Sequence, residues 1–367
     1  MGSGTGVLTA AARAAGWGHL PRSGGGWAHF AGGGVERPRP VPTTAVSEHD
    51  HWTLRRYGSG EATAGEPILL VPPLAVSIHC FDLRAGQSLA AFLLGTGRPV
   101  YVVDYGEITF ADRDMGLEDW FDRIVPGALR EVSALHDARP VDVVTWSLGG
   151  TLSFLAAAAH PFLPLRSIAA IATPIDYAQV PYLVPIRAAG RVTGGRLLGA
   201  ANRTLGRVPG WAVRTGFKAT ALQRELTKPL FVLRNLHDAE TIGRMEAVDR
   251  FIGSMRGYPG RLYGQIYHRL LLRNDLARGR LKLSDRSIDL AEVHPHVLIV
   301  AGGDDAIAPV DCVRRACDVL TGVRSLRFET APGSHLGVLT GPEAVTTTWR
   351  YLSEFLSDVA GGAVPAG

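Results

Sequence analysis

Short apolar runs rich in β-branched side chains recur along the chain at Pro67-Ile68-Leu69-Leu70-Val71, Val100-Tyr101-Val102-Val103-Asp104 and Val141-Asp142-Val143-Val144-Thr145. Each is flanked by turn-forming residues and reads as a strand. Ile168-Ala169-Ala170-Ile171-Ala172, Val297-Leu298-Ile299-Val300 and Leu326-Arg327-Phe328-Glu329 continue the series, with helical patterns such as 86–95 and 341–357 between several of them. This alternation predicts an α/β fold: a mostly parallel central sheet with helices on both faces. Between about Tyr177 and Leu290 the strand rhythm stops and arginine-studded helical patterns take over. Because the rhythm resumes at Val297, the reading is one interrupted domain. The expected organisation is a core of 48–176 plus 291–358, an inserted helical cap at 177–290, a disordered Gly/Pro-rich tail at 1–47 and a flexible tail at 359–367.

Composition narrows the function classes. The 367 residues are 46% hydrophobic, enough for a large core, and the net charge of +4 is too small to mark a nucleic-acid partner. Cys80, Cys312 and Cys317 form neither an even disulfide framework nor a C-x-x-C pair, so no disulfide scaffold, metal or other cofactor is expected. The N-terminus lacks a secretory pattern and no apolar run reaches the ~18 residues of a membrane span, which leads to the expectation of a cytoplasmic protein. Gly2-Ser3-Gly4-Thr5-Gly6 superficially looks like a phosphate loop, but no strand precedes it, and it reads as tail.

The chemistry concentrates where strands end. Thr145-Trp146-Ser147-Leu148-Gly149-Gly150 closes the third clear strand and leads into the helix-prone Thr151–Ala159. A sharp strand-to-helix turn of this kind lifts a serine hydroxyl above the sheet edge, the nucleophile elbow of an α/β-hydrolase fold. Thr145 stands where that motif usually has glycine. A serine hydroxyl is a weak nucleophile near neutral pH, so a base held by a third group must accompany it. Asp304 and Asp305 follow the strand ending at Val300, and His335 lies on Ala331-Pro332-Gly333-Ser334-His335-Leu336-Gly337 after the strand at 326–329. Both aspartates compete for the third role or for capping a helix at 309–320. The chain order Ser, Asp, His is the one this fold requires. Leu148 supplies one oxyanion N–H. Pro72 and Pro73 have none to give, so Leu74, with Ala75 next, is expected to provide the second.

At this point the sequence resembles the polyhydroxyalkanoate synthases and their α/β-hydrolase relatives, over about residues 65–358. The carriers are Val71-Pro72-Pro73-Leu74, Phe81-Asp82-Leu83 with Ser88-Leu89, Val100–Gly106, Asn235-Leu236, Gly279-Arg280-Leu281 with Ile288-Asp289-Leu290, Gly302-x-x-Asp305-x-Ile307-x-Pro309 and Gly333-x-His335. The resemblance implies that Asp305 is the catalytic aspartate and His335 the base, leaving Asp304 a neighbour. Those synthases carry cysteine at the elbow, where this chain has Ser147. A serine ester is a lower-energy intermediate than a thioester and suits hydrolysis better than chain growth.

The leading expectation is a serine-dependent hydrolase acting on an acyl ester or acyl-CoA-type thioester. A synthase-like acyltransferase using 3-hydroxyacyl-CoA is the alternative, and a non-catalytic lipid- or granule-surface binding protein is the reading from another class. A homodimer or a partner subunit stays open. Between Asp176 and Glu225 no acidic residue occurs, while Arg187, Arg191, Arg196, Arg203, Arg207, Arg214, Lys218 and Arg224 do. Spacings of four at Arg187/Arg191 and Arg203/Arg207 place pairs on one helical face, either a solvated face or a site for an anionic lipid or granule surface.

Overall fold

The computed structural model describes Val35 and residues 39–59, 65–193, 207–219 and 222–362. Eight strands form the central sheet: β1 (Thr43–His49), β2 (Trp52–Tyr57), β3 (Ile68–Val71), β4 (Val100–Asp104), β5 (Val141–Trp146), β6 (Leu165–Ile171), β7 (His296–Gly302) and β8 (Ser325–Ala331). Their spatial order is β1-β2-β4-β3-β5-β6-β7-β8. From β4 onward every pairing is parallel, whereas β2 runs antiparallel to β4 and β1 antiparallel to β2.

Successive strand residues feed opposite cores. Leu69, Val71, Val143 and Ile299 join one apolar cluster, while Ile68, Leu70, Val144, Leu298 and Val300 join the other. Helices α1 (Leu89–Leu94) and α9 (Thr348–Gly361) pack into the second cluster, and α2 (Val125–Ala134) and α3 (Leu148–Ala159) into the first. The last helix shows why: Trp349, Leu352, Phe355, Leu356 and Val359 recur at helical spacing on its buried side.

The six strands expected from apolar runs are present, and two more are found. β1 begins at Thr43, within the stretch expected to be tail, and neither β1 nor β2 advertises itself. Their sequences, TTAVSEH and WTLRRY, carry no continuous apolar run: β1 is the largely exposed antiparallel edge, and β2 beside it buries only Leu54 and Tyr57 fully. Of the remaining expected tail, residues 1–34 and 36–38 lie outside the described residues, as do 363–367. The expected helix at 341–357 starts only at Thr348, after turns that follow Gly341-Pro342. That at 309–320 is two short helices, Val310–Arg314 and Ala316–Val319.

Residues 172–295, between β6 and β7, carry α4 (Val184–Thr193), α5 (Gly210–Ala219), α6 (Leu222–Arg234), α7 (Ala239–Gly253) and α8 (Gly260–Gln265). The later part of this stretch is bound into the body: Phe251, Ile252 and Met255 enter one core cluster, and Leu262, Ile266, Leu270 and Leu290 the other.

The basic stretch needs correction. Arg187 lies on α4 with Arg191, but it is 7% exposed and its guanidinium donates to the Leu271 carbonyl, so it is not part of a solvated face. Burial and the neighbouring Arg191 both press its pKa down. Arg207 sits in a two-residue strand, Arg207–Val208, paired with Tyr258–Pro259, and not on a helix. Arg214 donates to the Met255 carbonyl at 3.2 Å. Backbone carbonyls of the insert thus take two of the eight cations inward. Arg196, Arg203 and the Arg224 side chain lie outside the described residues.

Candidate active site

The elbow forms as its sequence requires. β5 ends at Trp146, α3 starts at Leu148, and Ser147 between them is held at φ 53°, ψ −130°, a conformation a non-glycine residue adopts only under constraint. Two hydrogen bonds pin it: Ser147 N–H donates to the Ile171 carbonyl of β6 at 2.9 Å, and Gly150 N–H donates to the Ser147 carbonyl at 3.0 Å. A side chain at Gly149 would collide with the Val71 carbonyl, and one at Gly150 with the Thr173 hydroxyl, so both glycines are needed where helix meets sheet. Thr145 fits because its hydroxyl turns to β3 and donates to the Val71 carbonyl at 2.8 Å.

Two loops at the same end of the sheet converge on Ser147. His335 follows β8, and its Nε2 lies 2.9 Å from Ser147 Oγ. Its Nδ1 lies 2.7 Å from Asp305 Oδ2 on the loop after β7. With Nδ1–H donating to the carboxylate, Nε2 is left to accept from the serine hydroxyl. Asp305 Oδ1 is engaged separately, accepting from Ile307 N–H at 2.8 Å and Ala308 N–H at 2.9 Å, which fixes the carboxylate plane. Asp305 is 4% exposed, whereas Asp304 is exposed to solvent and meets the loop only through its backbone N–H, donating to the Gly333 carbonyl. The geometry therefore brings Ser147, His335 and Asp305 together and leaves Asp304 outside. Neither aspartate caps the following helix, which starts behind Pro309.

Ser147 and His335 line a cavity of about 380 Å³. Leu148 and Leu74, the two expected oxyanion donors, line it as well. Leu148 is the first residue of α3, so its N–H belongs to the set that has no partner within the helix. Leu74 sits in the turn after β3, followed by Ala75 at φ 62°.

The remaining walls were not legible in the sequence. They come largely from the insert: Tyr177, Tyr182, Phe217, Met255, Tyr258 and Ile266. Tyr177 is 7% exposed, burial pushes its phenol well above the ordinary value, and its hydroxyl has no hydrogen-bond partner among the described residues. These side chains are scattered over ninety positions and share no motif. None of the three cysteines joins the cavity; Cys80 and Cys312 are buried, and burial pushes both thiols up, Cys312 to about 12.

The sheet order, the elbow and the placement of Ser147, Asp305 and His335 after three parallel strands define the α/β-hydrolase fold, and the chain has that fold. A solved structure described as that of a lipase candidate from Acinetobacter baumannii AYE superposes with a TM-score of 0.50 at 15% identity, covering 88% of this chain and 93% of that one. In sequence the chain is similar to poly(3-hydroxyalkanoate) polymerase subunits PhaC. It is 23% identical to that of Thiocystis violacea over 331 residues, 86% of this chain and 88% of the relative. It is 25% identical to that of a Synechocystis species over 328 residues, 87% and 85% of the two chains. No family model matches the chain. No helix among the described residues is long and apolar enough to cross a membrane.

Proposed function

We propose that this protein is a serine-dependent acyl hydrolase or acyltransferase acting on an ester or thioester. The observation that carries the reading is the unbroken relay from Ser147 Oγ through the His335 ring to Asp305, at 2.9 and 2.7 Å, on the wall of a largely apolar cavity. Ser147 Oγ attacks the acyl carbonyl as its proton passes to His335 Nε2, and Asp305 stabilises the resulting imidazolium. The tetrahedral oxyanion is received by the N–H groups of Leu148 and Leu74, each such donor contributing about 3 kcal/mol. Collapse expels the alcohol or thiol, which takes the proton from His335 and leaves an acyl-serine. Water, or a hydroxyl-bearing acceptor, activated by the same imidazole, then releases the acyl group.

The insert acts as the cap in this scheme. Tyr177, Tyr258 and Phe217 bring apolar surface over the acyl chain, and the neutral Tyr177 phenol can donate to an oxygen of the substrate. The likeness to polymerase subunits across most of the chain supports a second reading, transfer from a hydroxyacyl-CoA thioester to an alcohol. Hydrolysis is preferred because Ser147, and no cysteine, is next to His335. Incubation with p-nitrophenyl esters and acyl-CoA thioesters of graded chain length, with and without an alcohol acceptor, tests both. Free acid as the main product supports hydrolysis, ester product supports transfer, and inertness toward every substrate overturns the reading.

An anionic lipid or granule surface remains the proposed partner of the cap. It is supported by Val184, Ile186, Val192 and Trp211, apolar side chains exposed on the insert, and by the exposed Arg191 and Arg207.

A further inference from the structure

The turn that carries Leu74 is held from outside itself. Pro72 and Pro73 bring no N–H, and the N–H of Leu74 donates to no backbone carbonyl among the described residues. It is therefore unspent, as an oxyanion donor must be. Ala75 follows at φ 62°, a conformation that a residue with a side chain keeps only when its surroundings impose it.

Two hydrogen bonds supply that constraint, one at each end of the turn. The Tyr105 hydroxyl donates to the Pro72 carbonyl at 3.1 Å, and the backbone N–H of Arg256 donates to the Ala75 carbonyl at 2.7 Å. Tyr105 is buried, and burial raises its phenol, which keeps the proton on the donor. Arg256 belongs to the insert, just past α7, and its guanidinium fastens it to the end of β4. Its Nη1 donates to Asp104 Oδ1 at 3.2 Å and to the Gly106 carbonyl, and its Nε lies 3.2 Å from Glu107 Oε1. Asp104 is itself fixed, Oδ1 accepting from Gly106 N–H and Oδ2 from Arg55 Nε, each at 3.2 Å. Neither Tyr105 nor Arg256 lines the Ser147 cavity, whereas Met255 and Tyr258, on either side of Arg256 in the chain, both do. The two braces thus stand behind the turn, away from any substrate.

We propose that Arg256 and Tyr105 are positioning residues that hold the Leu74 N–H in place for the oxyanion, an inference that rests on the reading of Ser147 as the nucleophile. The insert then does more than cover the acyl chain, because through Arg256 it completes the oxyanion site of the core. A donor displaced by about 1 Å loses much of its hold on the developing charge while the chain binds as before.

The test compares two ligands of one shape, an eight-carbon alkyl trifluoromethyl ketone and the matching trifluoromethyl carbinol, by calorimetric Kd on the full-length protein. Ser147 Oγ adds to the ketone carbon, its proton passes to His335 Nε2, and the carbonyl electron pair moves onto oxygen to make the oxyanion. The carbinol fills the same space but has no carbonyl to attack, so the ratio of the two Kd values reports the oxyanion site and cancels the chain's contacts. Arg256→Met and Tyr105→Phe should each weaken the ketone about tenfold and shift the carbinol within about twofold. Arg256→Lys, which keeps a cation for Asp104, should recover most of that loss. Asp104→Asn loosens the same clamp without shortening a side chain and should also weaken the ketone selectively, so the Arg256 arm does not depend on one variant folding. An unmodified protein that binds ketone and carbinol equally would remove the nucleophile together with its braces. A ketone preference undiminished in the Arg256 and Asp104 variants or in Tyr105→Phe, or an equal loss of both ligands, would overturn the proposal and leave the reading of Ser147 in place.

Discussion

Trp146 holds His335 from behind: its indole Nε1–H donates to the His335 backbone carbonyl at 2.9 Å, and the two rings lie 5.0 Å apart, tilted by 40°. The residue that precedes Ser147 thus anchors the loop that carries the imidazole facing Ser147. Trp146→Phe keeps most of the buried ring but removes the donor. We expect kcat to fall about tenfold with KM nearly unchanged, since the loss falls on the alignment of the imidazole and not on the acyl pocket. A change in KM alone would show that Trp146 acts only as a cavity wall.

Ser147→Ala should abolish labelling by a fluorophosphonate probe and lower turnover by about 10³-fold or more, with an unchanged thermal unfolding midpoint. The measurement is paired gel fluorescence and ester hydrolysis. Labelling that moves to another serine would remove Ser147 from the mechanism.

Asp305→Asn should cost about 10⁴-fold in kcat, because an amide in place of the Oδ2 carboxylate favours the wrong imidazole tautomer. Asp304→Asn should stay within about twofold, since that side chain is exposed and the carboxylate bonded to His335 is that of Asp305. Steady-state kinetics on the two variants decides between them, and equal losses would contradict the assignment.

Arg84 and Glu240 join the core to the start of α7 through two hydrogen bonds of 2.7 Å. The Arg84 guanidinium, through those bonds, holds the Glu240 carboxyl down to about 2 from an ordinary 4.5. A carboxylate whose pKa is lower folded than unfolded stabilises the fold above about pH 4.5, and that contribution disappears as pH falls through about 2. Glu240 is half exposed, so solvent screening limits the pair to about 1 kcal/mol. Thermal melts should show Glu240→Gln less stable than the parent at pH 6, with the gap narrowing below pH 4.5. A gap independent of pH would mean that packing, not charge, is lost.

Arg191→Glu combined with Arg207→Glu should weaken co-sedimentation with anionic vesicles at low salt, at about 1 kcal/mol per reversed contact, while fluorophosphonate labelling of Ser147 is retained. Binding to zwitterionic vesicles is expected to be absent for both proteins. Sedimentation indifferent to lipid charge and to both substitutions would reduce the insert to a lid.

The sequence by itself determined the parallel strands and the places where chemistry could sit. Buried parallel strands must be apolar throughout, and Ser147, Asp305 and His335 each follow such a run, so strand ends could be read directly. The antiparallel strands β1, at the edge, and β2, beside it, could not, because a strand buried on one face only carries no continuous apolar signal. Nor could the choice of Asp305 over Asp304 be made from the residues alone; it needed the resemblance, and the geometry agrees because the loop after β7 buries one carboxylate and exposes its neighbour. Asp142 makes the same point at the other end of the sheet. Within Val141-Asp142-Val143 it looks like an interruption, yet it is fully buried against Arg98, Arg166 and Ser167, three partners that only the pairing of β5 and β6 and the approach of the β4 loop bring together. The tyrosines over Ser147 belong to this second class. A cavity is the space left between elements distant in sequence, and no local pattern of residues encodes its shape.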